Sequence, residues 1–158
     1  MDYLKWDESY SVNNKKIDEQ HKKLFDQINN LYNAIKMKTE KNALEKTLDD
    51  LLDYINKHFS FEESLLKASH YPQLVEHILK HKEFTSQITD FHKKFHKGDS
   101  NIAFQLAVFL NRWLWKHVTV EDKKYAPFVS KTILFKDWAI VYYELIRSNL
   151  DGLLPKYQ

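Results

Sequence analysis

The sequence predicts an all-α protein: an antiparallel up-down-up-down four-helix bundle with an appended C-terminal helix. Three observations carry this. The chain of 158 residues holds only 2 glycines and 3 prolines, so tight turns are few and helices long. Apolar residues recur at three- and four-residue steps over four successive stretches of similar length. The breaks between these stretches are short, and short links make neighbouring helices antiparallel. The length suits one compact domain with a single sizeable core.

Residues 1–16 read as extended or irregular, with Asn13-Asn14 as a turn signal and Trp6 as an aromatic that docks on the chain downstream of it. In the first helix, KIDEQHKKLFDQINNLYNAI, the residues Ile17, Leu24, Phe25, Ile28, Leu31, Tyr32 and Ile35 share one stripe with His21. The second runs from about Asn42 to Ala68 and buries Leu44, Leu48, Leu51, Leu52, Ile55, Phe59 and Leu65 or Leu66, with His58 and Glu62 in the same phase. The third opens at Tyr71-Pro72, with proline in its first turn, carries His77, His81, Phe84, Ile88 and Phe91 inward, and closes at the glycine of HKGDSN. The fourth begins near Asn101 with Ser100 or Asp99 as its cap, buries Leu106, Leu110, Trp113, Leu114 and His117, and ends between Asp122 and Pro127. A fifth, within ILFKDWAIVYYELIRSNLDGLLPKYQ, sets Trp138, Tyr142, Ile146 and Leu150 at four-residue steps with Leu145 beside them. The expected division is a bundle over residues 1–130 and an amphipathic extension over 131–158.

Bulk chemistry narrows the function. Lys and Arg total 24 against 22 Asp and Glu, and the two signs are interspersed, which speaks against a nucleic-acid partner. No apolar run has the length of a signal peptide or a membrane span, so a soluble, cytoplasmic protein with no membrane partner is expected. Cysteine is absent, which removes thiolate metal sites, disulfides and cysteine nucleophiles together. Chemistry must come from nitrogen and oxygen, and 8 histidines are a generous supply.

Seven polar residues fall on or beside the apolar stripes: His21, His58 with Glu62, His77 with His81, and His117 with Asp122. Residues four apart on a helix face the same side, so HFSFE and HILKH each aim two groups at one spot. Buried without partners, each polar group would cost about 1–3 kcal/mol and a carboxylate more. Imidazole and carboxylate together suit first-row divalent metals, and this set is too large for one ion with an open position. Two ions bridged by the two carboxylates fit. His92 and His96 repeat the four-residue spacing, but lie about 22 Å along the helix from the first pair and are expected in solvent without a core-facing partner. His70, at a helix junction, is expected to be structural. His117 and Asp122 are five residues apart, about 140° out of phase on a regular helix. If both reach the site, the helix ends, loosens or bulges between them, and the β-branched pair Thr119 and Val120 is compatible with that.

IDEQHKKL, HFSFEE, YPQLVEHILKHKEF and WLWKHVTVEDKKY, with the early Trp6, resemble the hemerythrin family at all seven ligand positions, over about residues 3–130. The likeness is to the single-domain bacterial hemerythrins. The resemblance implies a four-helix bundle around a non-haem di-iron centre that binds O2 reversibly. It implies that His77, His81 and His117 hold one iron and His21 and His58 the other. Glu62 and Asp122 would bridge the two Fe2+/Fe3+ ions beside an oxo or hydroxo group. It further implies an O2 pocket lined by Phe59, Trp113, Leu114 and Val118, with the two tryptophans and the leucine before His117 as its setting.

The resulting expectation is a binding protein and not an enzyme: an oxygen carrier, store or delivery module whose partner is O2. An O2 or redox sensor signalling through the C-terminal helix is the alternative, and a di-iron enzyme acting on peroxide or nitric oxide the third. The extension, beyond a minimal family domain, needs a cover for its apolar face: its own bundle, a second copy or a protein partner.

Overall fold

The computed structural model describes residues 3–37, 40–99 and 101–129. Among these all regular structure is helical: a 3-10 turn at Glu8–Tyr10, α1 at Lys15–Met37, α2 at Glu40–Ala68, α3 at Leu74–His96 and α4 at Ile102–Lys116, continued by a π-helical turn at His117–Glu121. Residues 122–129 are again α-helical. Each helix packs on the next, and α4 returns to α1 and closes the ring. Links of a few residues leave no room for crossovers, so consecutive helices run antiparallel. The appended helix expected over 131–158 lies outside the described residues.

The N-terminal segment is fastened by side chains. Asn13 takes the left-handed conformation at φ 59°, and the Asn14 Oδ1 accepts the backbone N–H groups of Lys16 and Ile17 at 3.2 Å each, capping α1. Asn29, buried in mid-helix, both accepts from Leu4 N–H at 2.8 Å and donates to the Leu4 carbonyl at 2.9 Å. Trp6 meets Phe25 edge-on at 5.5 Å between ring centres.

Both later corners use a left-handed residue. At the end of α2, His70 has φ 53°, and Tyr71 N–H reaches back to the Leu66 carbonyl at 3.0 Å, so His70 is structural, as expected. At the end of α3, Gly98 has φ 82° and Asp99 N–H bonds the Lys94 carbonyl at 3.2 Å, as the glycine predicted. Pro72 departs from expectation. It precedes α3 inside a turn whose Leu74 N–H bonds the Tyr71 carbonyl at 3.3 Å, a position that uses proline's fixed φ equally well. Asp99 Oδ1 accepts from Asn101 N–H at 2.9 Å, but the residue at the cap position of α4 is Asn101, whose side chain makes no cap bond, in place of the expected Ser100 or Asp99.

The fourth helix also runs past its expected end, through Pro127 to Val129. The π turn explains this: it relieves the phase mismatch in place, so the α-helix resumes at Asp122.

Two apolar clusters stand one above the other. The larger takes in Leu24, Ile28, Leu48, Leu51, Phe84, Leu106 and Leu110; the smaller joins Val12, Ile17, Leu66, Tyr71, Tyr125 and Val129. On every helix the residues between the two clusters are the polar seven.

Candidate metal centre

All seven groups converge. His21, His58, Glu62, His77, His81, His117 and Asp122 are each at most 2% exposed, and one ligand atom from each of Glu62, His77, His81 and His117 falls within 4.8 Å of the others. The Nε2 atoms of His81 and His117 are 3.1 Å apart. Two bonds of about 2.1 Å to one ion place nitrogens about 3 Å apart. Asp122 faces both histidine groups with different oxygens: Oδ2 is 3.3 Å from His21 Nε2, while Oδ1 is 3.1 Å from His117 Nε2 and 3.7 Å from His77 Nε2. Glu62 Oε1 is 3.4 Å from His77 Nε2, and its Oε2 lies between His81 and His58 at 3.2 and 3.6 Å.

The π turn brings Asp122 into this set. Its N–H bonds the His117 carbonyl five residues back, so the step that would leave the acid out of phase on an α-helix becomes close to one full turn. Thr119 Oγ1 donates to the Trp115 carbonyl beside the widened turn.

The polar atoms are orphaned. Both nitrogens of His21, the Nε2 atoms of His58 and His77, and all four carboxylate oxygens of Glu62 and Asp122 are buried without a hydrogen-bond partner. Such a cluster is far too costly to keep for packing alone, and its donor set suits a first-row metal centre. The residues therefore fit a metal.

Two ligand rings are aimed from behind. The Nδ1 atom of His58 pairs with Gln20 Oε1 at 2.9 Å and that of His81 with Glu63 Oε1 at 2.9 Å. In each, an Nδ1–H donating outward leaves Nε2 free as the metal-facing lone pair. Sequence reading missed Gln20 and Glu63 because each sits one helical position off the apolar stripe. The rule that a ligating imidazole needs an acceptor on its other nitrogen could have found them. It also missed Tyr54 and Tyr125, whose buried, unpartnered hydroxyls face the Glu62 and Asp122 charges and are held protonated by burial and by those charges.

An apolar and aromatic wall closes one side. Phe59 lies flush on His81, with ring centres 3.7 Å apart and planes 2° from parallel, and Trp113 stacks on His117 at 4.2 Å and 16°. Leu114 and Val118 are 2% and 0% exposed. Trp115 corrects the expectation that both tryptophans serve the site: it is 63% exposed and points outward, since only one of two residues two apart can face inward. His92 has no core-facing partner, as expected: its Nε2 pairs at the surface with the exposed Asp49 Oδ1 of α2 at 3.5 Å. That contact stays at the surface, remote from the centre.

Burial pushes three of the imidazoles, His21, His58 and His117, toward their neutral form. His21 is lowered to about 4 and His58 to about 3, and His117 falls well below its ordinary value, all against the pull of Glu62. Burial and the Glu62 charge hold Asp122 well above the usual carboxyl range. For Glu62 itself, burial is outweighed by His77, His81 and His58, which hold it well below. The metal-free chain is expected to be acid-sensitive for this reason. Unfolded histidines take up protons near pH 6.5 and the folded ones do not, so the stability of the folded state is fully present above about 6.5 and declines as pH falls toward 4 and 3. Urea midpoints of the metal-free protein are expected to drop steeply across that window; a flat profile would contradict buried neutral histidines.

The fold and the sequence have counterparts among known proteins. The profile of the Hemerythrin HHE cation binding domain matches residues 12–129. A bacteriohemerythrin of Pseudomonas aeruginosa is 31% identical over 139 residues, 87% of this chain and 90% of that protein. One of Stenotrophomonas maltophilia is 29% identical over 126 residues, 80% of this chain and 81% of that protein. A crystal structure of wild-type hemerythrin superposes with a TM-score of 0.74 at 29% identity, covering 81% of this chain and 98% of that one. With the profile spanning most of the chain and both clusters around the centre, the chain belongs to the hemerythrin family.

Proposed function

We propose that this protein binds O2 reversibly at a di-iron centre, as a cytoplasmic carrier, store or delivery module and not as an enzyme. The observation that carries the reading is the buried cluster of five imidazoles and two carboxylates, with orphaned atoms on three of the imidazoles and on both carboxylates, set against an apolar and aromatic wall. His77, His81 and His117 would hold one iron, His21 and His58 the other, with Glu62 and Asp122 between them. When bound, the two irons supply the pair of electrons that O2 takes up and returns.

The chain's own residues set the conditions. Five neutral imidazoles against two carboxylates stabilise the higher oxidation states less than the carboxylate-rich sites of ferritin-like proteins do, which favours release over oxidation of substrates. Phe59, Trp113, Leu114 and Val118 keep water and protons from the open side, where they would strand the metals oxidised. Gln20 and Glu63 hold the His58 and His81 rings in the tautomer that faces inward. Imidazole-carboxylate sites also take zinc or manganese, so iron rests on family membership.

Anaerobic loading with ferrous iron, followed by cycles of air and deoxygenation, tests the reading. A visible absorption band that comes and goes with O2 at two irons per chain is expected. Irreversible oxidation without that band would overturn reversible binding and favour redox sensing or peroxide chemistry.

A further inference from the structure

Between α3 and α4, on the outer side of the wall that closes the metal centre, lies a half-open cavity of about 510 Å³. Its floor is aromatic. Phe84, Phe109 and Trp113 line it, with the Phe84 and Phe109 rings stacked at 5.4 Å and the Phe84 and Trp113 rings 4.1 Å apart. Its rim is charged and polar. Arg112 and Lys116, four residues apart on α4, share one edge, and Glu83 and Gln87, four apart on α3, share the other. None of these four side chains has a hydrogen-bond or ion-pair partner among the described residues. Lys80 and Glu121, in the same lining, satisfy one another at 2.5 Å. The volume falls within the range of small-molecule sites, about 300–1,000 Å³, and an aromatic floor with a few unpaired polar groups is their usual composition.

We propose that this cavity binds reduced flavin mononucleotide, a planar ring system with a phosphate tail, as the electron donor that returns an oxidised centre to its ferrous state; the electron-transfer half rests on the di-iron reading above. Each part of the cavity matches a part of that molecule. The aromatic floor takes the flat ring. The two free cations of α4 take the phosphate, which needs more than one positive donor. Glu83 accepts from the imide N–H of the ring, and Gln87 can serve either a ring carbonyl or a hydroxyl of the sugar-like chain. A molecule without an anionic tail would leave Arg112 and Lys116 unmatched.

The position of the floor gives the ligand its use. Trp113 lines the cavity and stacks on His117 at 4.2 Å, so a ring lying there is within one indole of a residue that faces the metal. Two ferric ions need two electrons, and a dihydroflavin carries two. It loses two electrons and two protons to become oxidised flavin, each iron passes from Fe3+ to Fe2+, and the protons leave to solvent through the open mouth. Electrons thereby cross the wall while Leu114 and Val118 stay closed to water.

Binding is isolated in the full chain loaded with zinc, which the imidazole-carboxylate set also accepts and which exchanges no electrons. Oxidised flavin mononucleotide is expected to lose fluorescence on titration with this protein, with a Kd of about 10–100 μM. Riboflavin, the same ring without the phosphate, is expected to bind about tenfold more weakly. Arg112→Gln with Lys116→Gln, both at exposed positions, is expected to remove that tenfold difference. In the iron-loaded, oxidised chain, anaerobic reduction by dihydroflavin mononucleotide is expected to saturate with flavin concentration and to slow about tenfold in the double variant below saturation. Absence of quenching, an affinity that the double variant leaves unchanged, or a reduction rate that rises linearly without saturation would each overturn the proposal. The zinc form does not depend on O2 chemistry. A chain that binds the flavin yet lacks the O2-dependent band would sink reversible O2 binding and keep the flavin site, whereas the band without flavin binding would sink the flavin site alone.

Discussion

Asp122→Ala is expected to empty the centre of metal and, at the same time, to make the metal-free protein more stable. Its carboxylate is 0% exposed and neither oxygen has a hydrogen-bond partner. It also gives a separate oxygen to each histidine group, at 3.3 Å from His21 and 3.1 Å from His117. Removing it takes a ligand from both metal positions at once, so iron content is expected to fall from two per chain to one or none, with loss of the O2-dependent band. Without metal the parent pays for an acid with nothing to bind. Burial and the Glu62 charge favour its neutral acid form, but a buried carboxyl without hydrogen-bond partners still costs about 1–3 kcal/mol, and the cavity left by a small side chain costs less. The metal-free variant is expected to exceed the metal-free parent by about 1–2 kcal/mol in urea unfolding. A variant that retains two irons, or a metal-free form weaker than the parent, would show that Asp122 is not a shared ligand.

Leu114→Ala acts through the wall instead of the ligands. Leu114 belongs to the larger core cluster and is 2% exposed, so truncation is expected to cost about 2–5 kcal/mol. The space it opens lies about one helical turn before His117, and a water needs only about 10–15 Å³ of free volume with two or more polar partners to settle in such a space. Iron loading is expected to remain at two per chain, with irreversible oxidation in air accelerated on the order of tenfold, equivalent to about 1.4 kcal/mol in the barrier. Stopped-flow mixing with O2 followed by hours of optical monitoring separates the two effects. An unchanged oxidation rate would mean that Leu114 fills space without guarding the site.

The four helices and the seven polar residues were legible in the sequence because both obey the helical period: His58 and Glu62, or His77 and His81, can share a site only if their helices are regular. The irregular turn was legible as well, because a five-residue step between His117 and Asp122 contradicts that period. What escaped were features set by contacts between helices. Gln20 and Glu63 are polar residues on helix flanks, and nothing in the pattern along one helix says that an imidazole on another needs them. Trp115 was misread because adjacency in sequence stood in for direction, although two residues further along a helix is about 200° around it, on the opposite side. Pro72 was misplaced because a first helical turn and the second position of a tight turn ask for the same φ.

The widened turn at His117–Glu121 bears on how this helix tolerates changes in gene length. One residue added to a regular helix rotates everything after it by about 100°, which would swing Tyr125 and Val129 out of the smaller cluster. A π turn absorbs the extra residue within itself, so the flanks keep their faces on either side of it. Loss of a single codon there converts the turn to ordinary α-helix with Asp122 four residues after His117, still on the same side. Loss of one codon is therefore tolerated at this place in the helix, where the ligand geometry is re-aimed while the bundle around it stays in register.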